Sequence, residues 1–378
     1  MKILLIHQYY KTPEDGGGIR SYHIAKYLQA KGHTLNVITA HNSPDYEIIQ
    51  KEGVTIHCLP IYYTNHLSFY SRIHAFFRYV WQATRLIKKL DKPDLNYVIS
   101  TPLTTGLIAL YAKARYKIPY VFEVGDLWPD APIQLKVLRN SILKSLAYKL
   151  EKHVYNKARH IIGLSPDITK AIEKKTDTPT TVITNFSDTD YFRPGNHETQ
   201  GELTIGYIGT LGLANHLEYL IDAAAQSATL KLKFVVMGGG AQAKKIQELA
   251  VSKDLTNISF LPQGNTLEAK KTLEQVDAVY VSFKNAPILA AGSPNKFFDG
   301  LAAGKMIIIN FQGWIKELIE KNKCGFYYDP ESPSDFIKQI TPYIENRDKL
   351  VEAKTNARIL AENQFSIQKQ LKKLDQII

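Results

Sequence analysis

Short apolar runs bounded by polar residues recur along this chain, and between them apolar positions return at helical spacing. Runs at 2–6, 35–39, 54–59, 94–100 and 119–124 read as strands. A helical pattern with Ile24, Tyr27 and Leu28 on one face separates the first two, after a loop through Gly16, Gly17 and Gly18. Strand, glycine loop, helix, strand is the opening of a doubly wound α/β domain. Short strands at 161–165 and 182–184 close this half, and the polar stretch 195–202 reads as a linker. The same grammar then restarts with a strand at 203–208, the loop Gly209-Thr210-Leu211-Gly212, a helix at 217–225 and a strand at 233–237 ending in Gly238-Gly239-Gly240. Strands at 258–261, 278–281 and 306–309 continue it. Two Rossmann-like domains in series follow, 1–190 and 191–360, with a ligand cleft expected between them. A terminal helix at about 360–378 is expected to pack back on the first domain.

The stretch 293–305 organises the second half. Ser293 suits an N-cap, Pro294 the first helical position, and Gly304 a left-handed C-terminal residue. Phe297 and Leu301 face a core, while Lys296 and Asp299, three apart, share another face. Free backbone N–H groups at that end, plus a lysine, suit a diphosphate. A carboxylate one turn further in suits a sugar diol. The alternative is a capped helix with two solvated charges.

In the first half, Glu123-Val124-Gly125-Asp126-Leu127-Trp128-Pro129-Asp130 sets three carboxylates at the C-terminal end of a strand, where open sheets bind ligands. Asp126 or Glu123 could orient a substrate hydroxyl or balance developing positive charge; alternatively Asp126 caps the next turn. The dinucleotide fingerprint is not met by the first glycine loop, because Ser21 stands where its last glycine belongs.

Charge changes the picture. Residues 1–195 carry 26 Lys+Arg against 16 Asp+Glu, and the rest 21 against 20, so nearly all of the net +11 lies in the first half. That points to an anionic partner there: a membrane surface, a phosphorylated acceptor or nucleic acid. The pattern over 69–89 interleaves Ile73, Phe76, Phe77, Val80 and Trp81 with Arg72, Arg78 and Arg85, and 139–159 is again basic. Both suit a membrane interface, the alternative being core helices with solvated backs. Cys58 and Cys324 lack metal-ligand spacing and imply a reducing compartment. The opening apolar run is too short for a signal-peptide core, and no run approaches the ~18 apolar residues that span a bilayer.

Taken together these stretches resemble retaining glycosyltransferases of the GT-B fold, of the family 4 type that builds bacterial surface polysaccharides such as lipopolysaccharide or capsule. Gly16 to Arg20 is similar to the family's glycine loop, and 123–130 to a D-L-W-P-E/D segment in the branch acting on lipid-linked intermediates. Asn185 to Pro194 matches the N-x-x-D-x-x-x-F-x-P hinge pattern, Gly209–Gly212 and Gly238–Gly240 the donor-domain loops, and 293–304 the P-S/T-K-x-x-E-x-x-A-x-G segment. Each is weak alone; their order makes the set specific. There are departures. The E-x7-E motif has Ala291 at its first position and Asp299 at its second, and the family's diphosphate-binding Arg and Lys appear as Thr210 and Asn215. Lys296 is the substitute cation, helped by Arg20. The family's histidine near the reacting sugar has no clear equivalent, Gly125 and Asp126 occupying that region.

The resemblance implies a two-domain α/β enzyme moving a sugar from a nucleotide sugar, UDP-linked, to a lipid-linked or saccharide acceptor with retention of configuration. It implies a donor site of Gly17, Gly18, Arg20, Gly209, Thr210, Gly239, Gln263, Ser293, Pro294, Asn295, Lys296 and Asp299, and catalytic roles for Asp126, Lys296 and Glu123. No metal or other cofactor is expected, the nucleotide sugar being a substrate, and no nucleic acid. The expected location is cytoplasmic, peripheral on the inner face of the membrane. The alternatives are a nucleotide-sugar 2-epimerase of the same fold and a non-catalytic nucleotide-sugar-binding protein.

Overall fold

The computed structural model describes residues 1–15, 18–64, 67–195, 201–332 and 334–378. Gly16, Gly17 and most of the expected 195–202 linker lie outside the described residues. The chain divides into two compact units, one of Met1–Pro13, Gly18–Thr184 and Leu374–Ile378, the other chiefly Asn185–Lys373. The division falls after Thr184 rather than after residue 190, and of the expected 360–378 return only Leu374–Ile378 group with the first unit. Tyr27 and Lys31 hold that tail through Asp375, at 2.7 and 2.8 Å.

Among the described residues the first unit has eight strands: β1 (Lys2–Ile6), β2 (Thr34–His41), β3 (Glu47–Lys51), β4 (Val54–Pro60), β5 (Leu95–Ile99), β6 (Tyr120–Val124), β7 (His160–Gly163) and β8 (Thr180–Val182). They form one sheet in the order β3-β4-β2-β1-β5-β6-β7-β8. All pairings are parallel except β3 with β4, an antiparallel hairpin that the sequence pattern did not announce. Its strand Glu47–Lys51 has almost no buried face, so it carries no apolar period to read. The central strands β5 and β6 are buried at every residue, as helices on both faces require. Buried tyrosines bond backbone carbonyls: Tyr79 donates to Ile38 and Tyr120 to Val154.

The second unit has β9 (Leu203–Ile208), β10 (Leu232–Met237), β11 (Ile258–Leu261), β12 (Ala278–Val281), β13 (Met306–Ile309) and β14 (Gly325–Tyr327), all parallel, in the order β11-β10-β9-β12-β13-β14. One core layer packs Tyr207, Phe234, Tyr280 and Phe336, and the other packs Phe297, Phe298, Leu301, Trp314 and Phe365. In both sheets the order reverses beside the first strand, between β1 and β5 and between β9 and β12. The crevice outside the carboxyl ends at such a reversal is where open α/β sheets take ligands. Among the described residues no helix is long and apolar enough to cross a membrane.

Candidate active site

The helix Asn295–Ala302 begins one residue later than its sequence signals imply. Pro294, not Ser293, occupies the cap position, and no side chain caps the helix. Ser293 is drawn off by Asn185, whose backbone N–H donates to the Ser293 hydroxyl at 3.0 Å and whose side-chain amide donates to the Ser293 carbonyl. The N–H groups of the first turn therefore have no side-chain cap, which leaves the positive end of the helix open to an anion. The motif 185–194 collars this helix. Ser187 donates to the Phe298 carbonyl at 2.8 Å, and Arg358 ties Thr189, Phe192 and Ala302 together through their carbonyls.

Lys296 lies across the glycine loop that follows β9. A methyl group on Gly209 would sit 3.1 Å from its Cε and 3.4 Å from its Nζ. The ammonium donates to the Tyr207 hydroxyl at 2.8 Å and stands 4.2 Å from the centre of that ring. Tyr207 in turn donates to the Thr210 carbonyl at 2.6 Å, so one buried phenol fixes both the lysine and the loop. No carboxylate bonds Lys296 among the described residues, and burial pulls its pKa down to about 7.

Asp299, one turn on, is half-buried. Desolvation, with the negative charge of Asp188 added, pushes its carboxyl up to about 7. Asp188 accepts from the Tyr191 N–H at 2.9 Å. Lys296 and Asp299 thus share a helix face without pairing, and burial moves both toward the neutral form near pH 7.

The second glycine loop packs under the first. Gly238 has φ +153°, and a Cβ there would fall 1.9 Å from the Gly209 carbonyl oxygen, so only glycine fits. Gly239 accepts from the Leu211 N–H at 2.8 Å and lies beside the side chain of Gln263, which is exposed, as is Thr210. Asn215 is bonded within its own loop: its carbonyl accepts from Ser282, its N–H donates to the Gly212 carbonyl, and its side-chain amide donates to the Ser282 carbonyl at 3.4 Å. Lys296, Gly209, Thr210, Asp299, Pro294 and Asn295 come together around one helix end.

In the first unit the geometry alters two assignments. Glu123 is wholly buried and meets Arg20 through two parallel hydrogen bonds, Nε to Oε1 at 2.8 Å and Nη2 to Oε2 at 3.0 Å, while Tyr97 donates to Oε2. Arg20 also donates to the carbonyls of Ile183 and Thr184. Both charges are consumed inside the protein, so Glu123 has no free oxygen for a reacting sugar and Arg20 is a brace rather than a donor-phosphate cation. Buried Glu123 needs a cation, and Arg20 on the neighbouring helix supplies it. The proximity of residues 103 positions apart is not visible in sequence. Gly18 is exposed just ahead of that helix, Arg20–Ala30.

Asp126 is exposed and caps no helix; the short helix Asp130–Gln134 starts from Pro129 instead. Although Asp126 presents surface to solvent, protein crowds its carboxylate, and that desolvation raises its pKa above the ordinary range. Beside the Glu123–Arg20 pair lies His7, directly after β1, with Nδ1 2.9 Å from the Ser21 hydroxyl. Desolvation, opposed by the charge of Glu123, brings its pKa to about 4, so it is neutral at pH 7. His7 and Tyr207 escaped sequence reasoning. Their only signal was position, at the carboxyl ends of the two strands beside which the sheet order reverses. Among the described residues no cluster of His, Cys, Asp and Glu could hold a metal ion.

Residues 15–185 match the family model of the glycosyl transferase 4-like domain, and residues 188–360 that of the glycosyl transferases group 1. The "Putative colanic acid biosynthesis glycosyl transferase WcaI" of Escherichia coli (strain K12) is 22% identical over 344 residues, covering 83% of this chain and 84% of that protein. Among solved structures, sucrose-phosphate synthase from Thermosynechococcus elongatus superposes with a TM-score of 0.83 at 15% identity, over 100% of this chain and 98% of that one. HepE of Anabaena, solved with UDP and glucose, gives 0.72 at 17% identity, over 100% and 99%.

Proposed function

We propose a donor, an acceptor and a mechanism from one premise: the chain belongs to the GT-B glycosyltransferases of the family 4 type, and it is a sugar transferase. The donor is a UDP-sugar, carrying a hexosyl or N-acetylhexosaminyl group. The observation that carries this reading is the placement of Lys296, which sits in the uncapped first turn of the helix Asn295–Ala302 and extends its ammonium over Gly209. A diphosphate there meets one side-chain cation and the positive end of a helix. A bound diphosphate would restore full charge to an ammonium whose pKa burial has pulled to about 7. Asp299 then accepts hydrogen bonds from the ribose diol. The reading is supported by the Anabaena HepE structure, whose bound UDP is that protein's own ligand.

Transfer proceeds with retention. The departing diphosphate, stabilised by Lys296 and backbone N–H groups, helps to deprotonate the acceptor hydroxyl on the face it leaves. No metal takes part. Asp126, exposed with a raised pKa, orients the acceptor hydroxyl. The acceptor is lipid-linked or a saccharide, bound by the basic first unit, and the product belongs to a cell-surface polysaccharide, as the name of the WcaI relative indicates for that protein. The enzyme works in the cytoplasm as a peripheral protein on an anionic membrane face.

The test is UDP release from a panel of UDP-sugars, with and without a lipid-linked saccharide acceptor. Acceptor-dependent release with an α-linked product from an α-linked donor is expected. Release that ignores every acceptor, or an inverted product, would refute the reading.

A further inference from the structure

The helix Ser141–Lys157 buries side chains only in its second half, its first half being tied down by Tyr148, which donates to Asp130 at 2.6 Å. Its buried residues are Glu151, Val154 and Tyr155, and none of its first ten is buried. Along those ten residues, about 15 Å of helix, Ile142 is 71%, Leu143 46% and Leu146 55% exposed. Just before them, Leu135 and Val137 are 38% and 51% exposed. An Asn140 side chain that accepts from the N–H groups of Ile142 and Leu143 holds the helix start firmly, so this exposure is not that of a frayed end.

Twenty large apolar residues are exposed among the described residues of the whole chain, and six of them fall within 135–148. Such a concentration marks an interaction surface rather than scattered surface apolarity. Its charge identifies the occupant. Residues 131–150 hold Lys136, Arg139, Lys144 and Lys149 and no Asp or Glu. The nearest acids on either side are already engaged, Asp130 and Glu151 both bonding Lys175 at 2.7 Å.

We propose that 135–149 is a lipid-inserting element: Ile142, Leu143, Leu146, Leu135 and Val137 enter the acyl boundary of an anionic bilayer while the four basic residues sit at its phosphates. This rests on the reading that the enzyme works at an anionic surface, and it relocates the inserting residues. The other basic helix, Phe69–Ile87, packs Phe76 and Tyr79 inward; it leaves fewer large apolar residues exposed, Tyr70, Phe77 and Trp81, and Trp81 already carries Arg85 at 3.9 Å.

The full chain is mixed with phosphatidylcholine vesicles, with and without phosphatidylglycerol, and sedimented. Binding to the anionic vesicles alone is expected, with release near 1 M salt, where the screening length falls to about 3 Å. Ile142→Ser/Leu143→Ser/Leu146→Ser should lower vesicle binding by about tenfold or more, whereas Phe77→Ser/Trp81→Ser should leave it nearly unchanged. UDP affinity serves as the folding check on both variants. Because Cys58 and Cys324 are buried, an environment-sensitive dye on Leu143→Cys reports insertion independently, by a blue shift with anionic vesicles only. If the triple variant binds like the wild type, or the dye does not shift, the element is wrong although the surface reading stands. If the wild type ignores anionic vesicles, both fail. If instead the wild type dimerises and the triple variant does not, with no vesicle binding, a second copy covers this face and the proposal is overturned.

Discussion

The Lys296 ammonium donates to the Tyr207 hydroxyl at 2.8 Å and lies 4.2 Å from the centre of the same ring, so one residue of β9 holds the cation by its oxygen and by its face. Tyr207 is wholly buried and its hydroxyl also bonds the Thr210 carbonyl. The lysine is thus kept in place before any ligand arrives, which is the preorganisation that electrostatic catalysis requires.

Lys296→Ala should therefore lower turnover more than donor affinity, since charge builds on the diphosphate chiefly as the sugar leaves. Steady-state kcat and calorimetric UDP affinity read the two effects separately. Equal loss in both would make Lys296 a ground-state contact. Tyr207→Phe should reproduce part of the turnover defect with Lys296 intact, because the ammonium loses an oxygen partner and the Thr210 carbonyl its donor.

Asp299 gives a pH signature with two parts. Asp299→Ala should weaken UDP binding, a hydrogen-bonded carboxylate contributing about 1.5–3 kcal/mol. In the wild type, UDP affinity should rise toward pH 7 as Asp299 ionises and fall beyond it as Lys296 loses its proton, giving a maximum near 7. The unliganded protein should respond in the opposite sense. A carboxyl raised to about 7 in the folded state binds its proton more tightly than in the unfolded chain, so stability falls as pH rises from the ordinary carboxyl range to about 7. Lys296, lowered to about 7, is deprotonated in the folded state while the unfolded chain still holds the proton, so stability recovers between about 7 and 10.5. Melting temperature against pH should show a shallow minimum near neutrality that Asp299→Asn removes on its acid side. UDP affinity unaltered by Asp299→Ala would take that carboxylate out of the site.

The fold was legible because its signals are local. Apolar runs such as Leu4-Leu5-Ile6 and Ile307-Ile308-Ile309 can only be buried strands, and the glycine loops after β9 and β10 mark where backbones approach, as the Gly238 contact with the Gly209 carbonyl bears out. The helix carrying Lys296 and Asp299 was readable from its period. Its start was not, because Ser293 is bonded by Asn185, 108 residues earlier. Glu123 fails as a catalytic candidate for the same kind of reason. A carboxylate at the end of a strand looks available until its tertiary partners, Arg20 and Tyr97, are seen. The helix Phe69–Ile87 turns Phe76 inward and Phe77 outward, since its buried stripe runs through Ala75, Tyr79, Ala83 and Ile87 rather than through Trp81.

Glu123 and Asp126, three residues apart, should separate stability from activity. Glu123→Ala leaves the Arg20 guanidinium buried without its carboxylate, and breaking one partner of such a pair costs about 3–5 kcal/mol. A large drop in melting temperature is expected, with UDP affinity at the second unit spared where the protein still folds. Asp126 is exposed and engages no cap, so Asp126→Asn should leave melting nearly unchanged while lowering transfer to the acceptor. A Glu123→Ala protein that melts like the wild type would mean that the Arg20 brace contributes little.

Chelation tests the proposed handling of the diphosphate. If Lys296 and the first-turn N–H groups of Asn295–Ala302 neutralise the leaving group, transfer should continue at an undiminished rate in excess EDTA. Lys296 provides one positive charge and the helix start about half of another, against a departing nucleoside diphosphate that gains charge as the bond breaks. Substituting that one cation should therefore be far more damaging than removing free divalent ions. The comparison is made at pH 6 to 8, bracketing the value of about 7 to which burial has moved Lys296 in the unliganded protein. Bound diphosphate raises that value, so the chelator-resistant rate should hold steady across the range when the donor is saturating and fall toward pH 8 when it is scarce. Inactivation by EDTA that magnesium or manganese restores would assign the charge to a metal ion and reduce Lys296 to a supporting contact.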